Sequence, residues 1–243
     1  MRKVKQTEWH IPISLIIHAT QCKLIDELQL YMYLKCRSSG IVTYDNQLLA
    51  KCAEELQVTT KTIRTRINRL IAKGWLGQFK TTNKLLVRGF DRVCYKSNLF
   101  PKVAIVFHID FLSSFKGFVG GAIFTHFCNP SKRRHNRRDA AYKDTALAPA
   151  DRAAMGFPVA INGVAKCIEV TSSMISRLKL IAMHTGYIIK TANNQKLPFN
   201  AVSSPKFTKA IKDYKNHFVR NGVVYKKNPD LIATKLQKCN RRK

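Results

Sequence analysis

Acidic residues are scarce in this chain. Only 14 Asp and Glu stand against 43 Lys and Arg, for a formal net charge of +29 and a pI near 10.2 in 243 residues. Seven of those acids lie beyond residue 100, none clustered, so a two-metal nuclease is excluded. Other signatures are missing as well. There is no G-x-x-x-x-G-K-[ST] loop for a nucleotide triphosphate and no H-x-H pair for a metal-dependent nickase. The seven cysteines (Cys22, Cys36, Cys52, Cys94, Cys128, Cys167, Cys239) are odd in number, scattered, and never form C-x-x-C, which reads as reduced thiols rather than a disulfide frame. His126, Cys128 and His135 imitate part of a zinc set, but a fourth ligand is missing. No metal or cofactor is expected. No apolar run approaches the ~18 residues of a membrane span, and "ISLII" is too short for a signal core. The expectation is a cytoplasmic, nucleoid-associated protein without a small-molecule substrate.

What is present is an apolar fraction of 45%, enough to bury real cores, and a charge that calls for a polyanion. Phosphate contacts release counterions, so nucleic acid is the natural partner.

The first hundred residues carry a regular pattern. "KLIDELQLYMYLKC" places Leu24, Leu28, Tyr31 and Leu34 at helical spacing, and Gly40 is expected to stop that helix. After "IVTY", Asp45 or Asn46 can cap a second helix, "QLLAKCAEEL". Gln57 and Val58 form a tight turn, and Thr59 caps a third helix running to about Lys73, with Gly74 ending it. "WLGQF" and "KLLVRGF" come next as two strands around "KTTN".

That order, with Ala53, Leu56, Val58, Thr62, Ile63, Ile67, Leu70 and Gly74 at their spacing, resembles a winged helix-turn-helix over residues 20 to 92. The resemblance implies that the third helix enters a DNA major groove while the wing lies on the backbone or in the minor groove. The outward face is then Thr60, Lys61, Arg64, Thr65 and Asn68, with Arg64 suited to guanine and Asn68 to adenine. Arg66, Arg69 and Lys73, and Lys80, Lys84 and Arg88 on the wing, are placed for phosphates. A bare basic helix is ordinarily just solvated. Here the preceding helix, the turn, the wing and the net charge turn the reading toward DNA.

The chain then repeats itself. Residues 164–188 align without gaps under residues 52–76: Ala165 falls on Ala53, Val170 on Val58, Thr171 on Thr59, Ile175 on Ile63 and Gly186 on Gly74. "IIKTANNQKL" echoes the first wing, and "FHIDFLSS" at 107–114 echoes "WHIPISLI" near the start. One position disagrees: Lys179 sits where Ile67 sits, so the inward face of the second helix is expected to rotate or end early. Its DNA-facing candidates are Ser172, Ser173, Ser176 and Arg177, with Asn193, Asn194 and Lys196 on its wing. This helix is less basic, which leaves it two roles, weaker DNA contact or homodimer formation.

The reading is mostly α with small β-hairpin wings (α+β), as two winged helix-turn-helix domains in tandem. The first spans 1–100. The second spans 101–200, with a basic insertion at 129–157 that reads as a connecting arm. In it Lys132, Arg133, Arg134, Arg137 and Arg138 put five cations in seven residues for gripping phosphates. A basic helical tail is expected over 201–243, from "SPKFTKAIKDYKNHFVRNG" and "NPDLIATKL". The doubled module resembles plasmid- or phage-type replication initiators. That resemblance implies a non-enzymatic protein binding repeated origin sequences in double-stranded DNA. A transcriptional regulator of a phage or mobile element is the alternative. An RNA-binding or coating protein is disfavoured, because the deep major groove of A-form RNA does not admit a helix.

Overall fold

The computed structural model describes residues 8–79, 81–141, 156–200, 217–220 and 223–240, with side chains left aside at 129–141 and 196–200. The fold is α+β. Among the described residues, eight α-helices combine with four antiparallel three-stranded sheets, so the β content goes well beyond two small wings.

The first lobe opens with β1 (Glu8–Pro12), α1 (Ile13–Gln21) and α2 (Ile25–Arg37). It continues through β2 (Ile41–Thr43), α3 (Asn46–Glu55), α4 (Thr60–Ala72), β3 (Leu76–Gln78), β4 (Lys84–Val87) and α5 (Phe90–Lys96). Asp45, not Asn46, caps α3 through the Leu48 amide, and Thr59 caps α4 through the Thr62 amide. The sheet order β2-β4-β3 packs behind α4. Trp75, fully buried, meets Tyr31 edge-on at 5.7 Å, and Tyr31 meets Phe90 at 6.0 Å.

The second lobe repeats that order: β5 (Val103–His108), a 3-10 turn (Ile109–Leu112), α6 (Phe115–Ala141), β6 (Phe157–Pro158), α7 (Ile161–Cys167), α8 (Ser172–His184) and β7 (Ile188–Thr191). Then it departs. β8 (Asn194–Asn200) does not return beside β7; it pairs with β10 (Val223–Lys227), which pairs with β9 (His217–Arg220). The partner of β7 is β11 (Leu231–Thr234), giving the order β6-β11-β7. The local hairpin expected at "IIKTANNQKL" is therefore corrected: a separate sheet stands between the two strands of that wing. The helix expected at "NPDLIATKL" is corrected as well. Ile232 is fully buried between β6 and β7, and a β-branched residue in a covered central strand is worth more there than one helical turn. β12 (Lys238–Asn240) joins β5, so this end of the chain is built into the fold. The rest of the tail, 201–216, lies outside the described residues, and within "HFVRNG" residues 217–220 are strand.

A third correction concerns the basic insertion. Helix α6 does not stop at Cys128 but runs on through Ala141, carrying the basic run with it. No glycine ends it, Arg, Lys and Ala are good helix formers, and the buried first half of the helix supplies the nucleus. Residues 142–155 lie outside the described part.

The lobes meet at a sheet ordered β1-β5-β12, where Trp9 pairs with Phe107 and His10 with Val106. Trp9 and Phe107 head the two echoing segments, so these entry strands pair with each other about a local twofold point. A single hydrophobic cluster runs through both lobes. Its centre is aromatic: Phe107, Phe111, Phe115, Phe118 and Tyr187 meet mostly edge to face at 5.0–6.2 Å.

Candidate nucleic-acid interface

Helix α4 divides its residues cleanly. Ile63, Ile67 and Leu70 are buried, while Thr60, Lys61, Arg64, Thr65, Asn68 and Arg69 are exposed. The division is set by the turn before it. Gln57 takes a left-handed φ of 52°, and the Val58 amide donates to the Ala53 carbonyl at 2.9 Å. That bond fixes the angle at which α4 leaves α3. Arg64 Nη2 then donates to Asn46 Oδ1 at the start of α3 at 3.1 Å, tying the two helices together on the outer side.

The cations of α4 fall into two groups. Arg66 Nη2 lies 3.3 Å from Asp26, and Lys116 at the start of α6 reaches the other oxygen of the same carboxylate at 3.1 Å. Arg69 Nη1 lies 2.9 Å from Glu27, a carboxylate buried in α2. These two arginines fasten the helix to the lobe, although the Arg69 side chain remains largely exposed. A buried carboxylate must be paired, and α4 supplies the cation for Glu27. Lys61 and Arg64 have no acidic partner among the described residues, and Asn68 stays free on the same face. On the wing, Lys84 is exposed and Arg88 is half-buried with its guanidinium over Gly77. Lys80 lies outside the described residues.

Helix α8 repeats this geometry bond for bond. Glu169 has φ 53°, the Val170 amide donates to Ala165 at 3.0 Å, and Thr171 caps the Met174 amide at 3.3 Å. At the far end the Gly74 and Gly186 amides donate to Ile71 and Met183, both glycines holding a positive φ that an L side chain resists. The Trp75 and Tyr187 amides each donate at 2.9 Å, to Leu70 and Ala182. Ser172, Ser173, Ser176 and Arg177 are all exposed.

The inward face of α8 neither rotates nor ends early. Lys179 stays at the place of Ile67, only 5% exposed, because Asp230 at the entry to β11 comes within 2.6 Å of its ammonium. Lys190 on β7 approaches the same carboxylate at 3.5 Å. Partial burial by itself raises the Asp230 pKa; the hydrogen bond and charge of Lys179, joined by Lys190, outweigh it and hold the group below the usual carboxylate range. Asp230 is the residue that sequence reasoning missed. Its signal was the mismatched Lys179, which demanded an acid from somewhere.

Helix α8 also lies unusually close to α6. A Cβ on Gly120 would stand 2.4 Å from the Leu178 carbonyl oxygen, so only glycine allows this approach. Ser114 and Tyr187 share a 2.6 Å hydrogen bond across the same contact, which eases the upward push of burial on the tyrosine pKa.

The remaining candidates are placed by backbone alone. Lys132, Arg133, Arg134, Arg137 and Arg138 occupy successive turns of the distal half of α6, and Lys196 lies in β8; their side chains are outside the described set. Among the described residues no three His, Cys, Asp or Glu gather as a metal site would need, and no helix is long and apolar enough to cross a membrane. Comparison with protein-family models, curated proteins and solved structures finds no match to this chain.

Proposed function

We propose that the chain is a non-enzymatic double-stranded DNA-binding protein built of two tandem winged helix-turn-helix modules. In this reading α4 and α8 are its two reading helices. The observation that carries the proposal is the sorting of cations on α4. Arg66 and Arg69 are paired with Asp26 and Glu27, while Lys61, Arg64 and Asn68 stand outward without an acidic partner among the described residues, on the face a groove would meet.

The repeated turn bonds at α8 support a second reading helix, and the self-pairing entry strands support an inverted relation between the two. The target is then a bipartite site with two unlike halves. The α4 half is read by charged and amide groups, the α8 half by Ser172, Ser173, Ser176 and Arg177. The basic run along α6 grips phosphates as a helix rather than as a loose arm. The biological setting we put forward is replication initiation at repeated origin sequences, in line with the resemblance of the doubled module.

Selection of bound duplexes from a random pool tests this. Enrichment of a bipartite site, with binding that survives a few hundred millimolar salt, is expected. Equal binding to all duplexes, lost with salt, would leave only a coating protein. Repeats of the selected site within an origin separate an initiator from a regulator at a single operator. Replacing Arg133, Arg134, Arg137 and Arg138 with Gln should weaken all sequences alike and flatten the salt dependence.

A further inference from the structure

Helix α8 turns a charge inward and a hydrocarbon outward. Lys179 is 5% exposed and the next residue, Leu180, is 52% exposed. Exchanging them would bury the leucine and free the lysine, the cheaper arrangement by ordinary burial. The inward lysine is explained by Asp230. Among the described residues nothing explains the outward leucine, since it takes no part in their hydrophobic cluster.

Its position is specific. In the register set by the matched turn bonds, Leu180 stands where α4 carries Asn68. The exposed residues Ser172, Ser173, Ser176, Arg177 and His184 surround it on the same face. At 3.6 residues per turn these positions span about 140°, and Leu180 lies at the middle of that arc. Its near neighbours Ser173 and Ser176 are short, so the helix can approach a surface closely enough for a leucine to touch it.

We propose that Leu180 selects a thymine in the second half-site through the C5 methyl group. This rests on the reading of α8 as a groove-entering helix. A leucine has no donor or acceptor, so base edges differ for it in one respect only: among the four bases in the major groove, thymine alone carries a methyl group. The polar contacts of Ser173, Ser176 and Arg177 then flank one apolar reading position.

The test is a uracil scan. Each thymine of the site selected by the full chain is replaced in turn by deoxyuridine, which removes the methyl and nothing else. One position in one half-site should weaken binding about fourfold, the worth of a single buried methyl. In Leu180→Ala that penalty should vanish while the melting temperature and the penalties elsewhere stay unchanged. Leu180→Asn should shift preference at the same position toward adenine. Absence of any uracil penalty, or one that persists in Leu180→Ala, overturns the proposal while leaving DNA reading intact. Unaltered DNA binding by Leu180→Ala on every duplex overturns it too and points to a protein partner at this face. A chain that enriches no sequence at all overturns the groove reading and this proposal together.

Discussion

Ile67 and Lys179 hold the same place in the two lobes, on helices entered and left through the same backbone bonds. One is a fully buried hydrocarbon; the other is a buried cation with a carboxylate 2.6 Å away. The lobes solve the same packing problem with different partners. In the first, acids on α2 hold α4 by its flank, through Arg66 and Arg69. In the second, an acid on the strand entry to β11 holds α8 by its inward face. The difference shows that a repeated backbone does not require repeated chemistry. It requires only that each buried group find its complement.

The comparison can be broken most forcefully by transplanting the lysine alone. Ile67→Lys puts a cation in the first core with no acid provided for it, and should destabilise the protein by about 4 kcal/mol in denaturant unfolding. A loss under about 1 kcal/mol would mean that this core accommodates a charge and that Asp230 is not needed to explain Lys179. Next comes the pair itself. Asp230→Ala strands Lys179 and should cost about 3 kcal/mol, whereas Lys179→Met, which restores a hydrocarbon, should stay within about 1 kcal/mol of the parent. Equal losses in the two variants would sink the ion-pair account.

The sorting of arginines on α4 predicts a separation of effects. Arg64→Ala should cost about 1 to 3 kcal/mol of DNA binding and relax base preference while leaving folding intact. Arg69→Ala should do the reverse, lowering stability by leaving Glu27 buried and unpaired. If both variants affect binding alike, the division into fastening and reading cations fails.

The smallest expected effect is on pH dependence. The folded pKa of Asp230 is depressed, so its contribution is complete above the unfolded value and is lost as pH falls through the folded one. Stability should therefore decline as the pH drops past about 4. Asp230→Asn should flatten that part of the curve, and an unchanged slope in unfolding titrations would remove Asp230 from the account.

Much of the candidate site was legible along the chain because its determinants are local. Thr59 and Thr171 cap amides only three residues further along, at Thr62 and Met174. Ile63 and Ile67 share a face by helical periodicity, which also sets Lys61, Arg64 and Asn68 opposite. Arg69 shows where that logic stops. Nothing near it indicates that Glu27, 42 residues earlier, would claim its guanidinium. The long α6 shows another limit. Asn129 and Pro130 announced a loop, but the helix had already been nucleated by a buried first half whose packing no local pattern records.

The sequence by itself settled the helices α4 and α8, their threonine caps, their glycine stops and their ungapped register, because each depends on bonds spanning about five residues or fewer. Tertiary structure alone decided which strand pairs with β7, since it ignores the nearby β8 and takes β11 from beyond an intervening sheet. It alone decided that Lys179 stays inside, through an acid 51 residues away. The physical reason is the same in both cases. The hydrogen-bonding edge of a strand and a buried charge must each be satisfied, and the partner is chosen by proximity in the packed fold, which sequence distance does not measure.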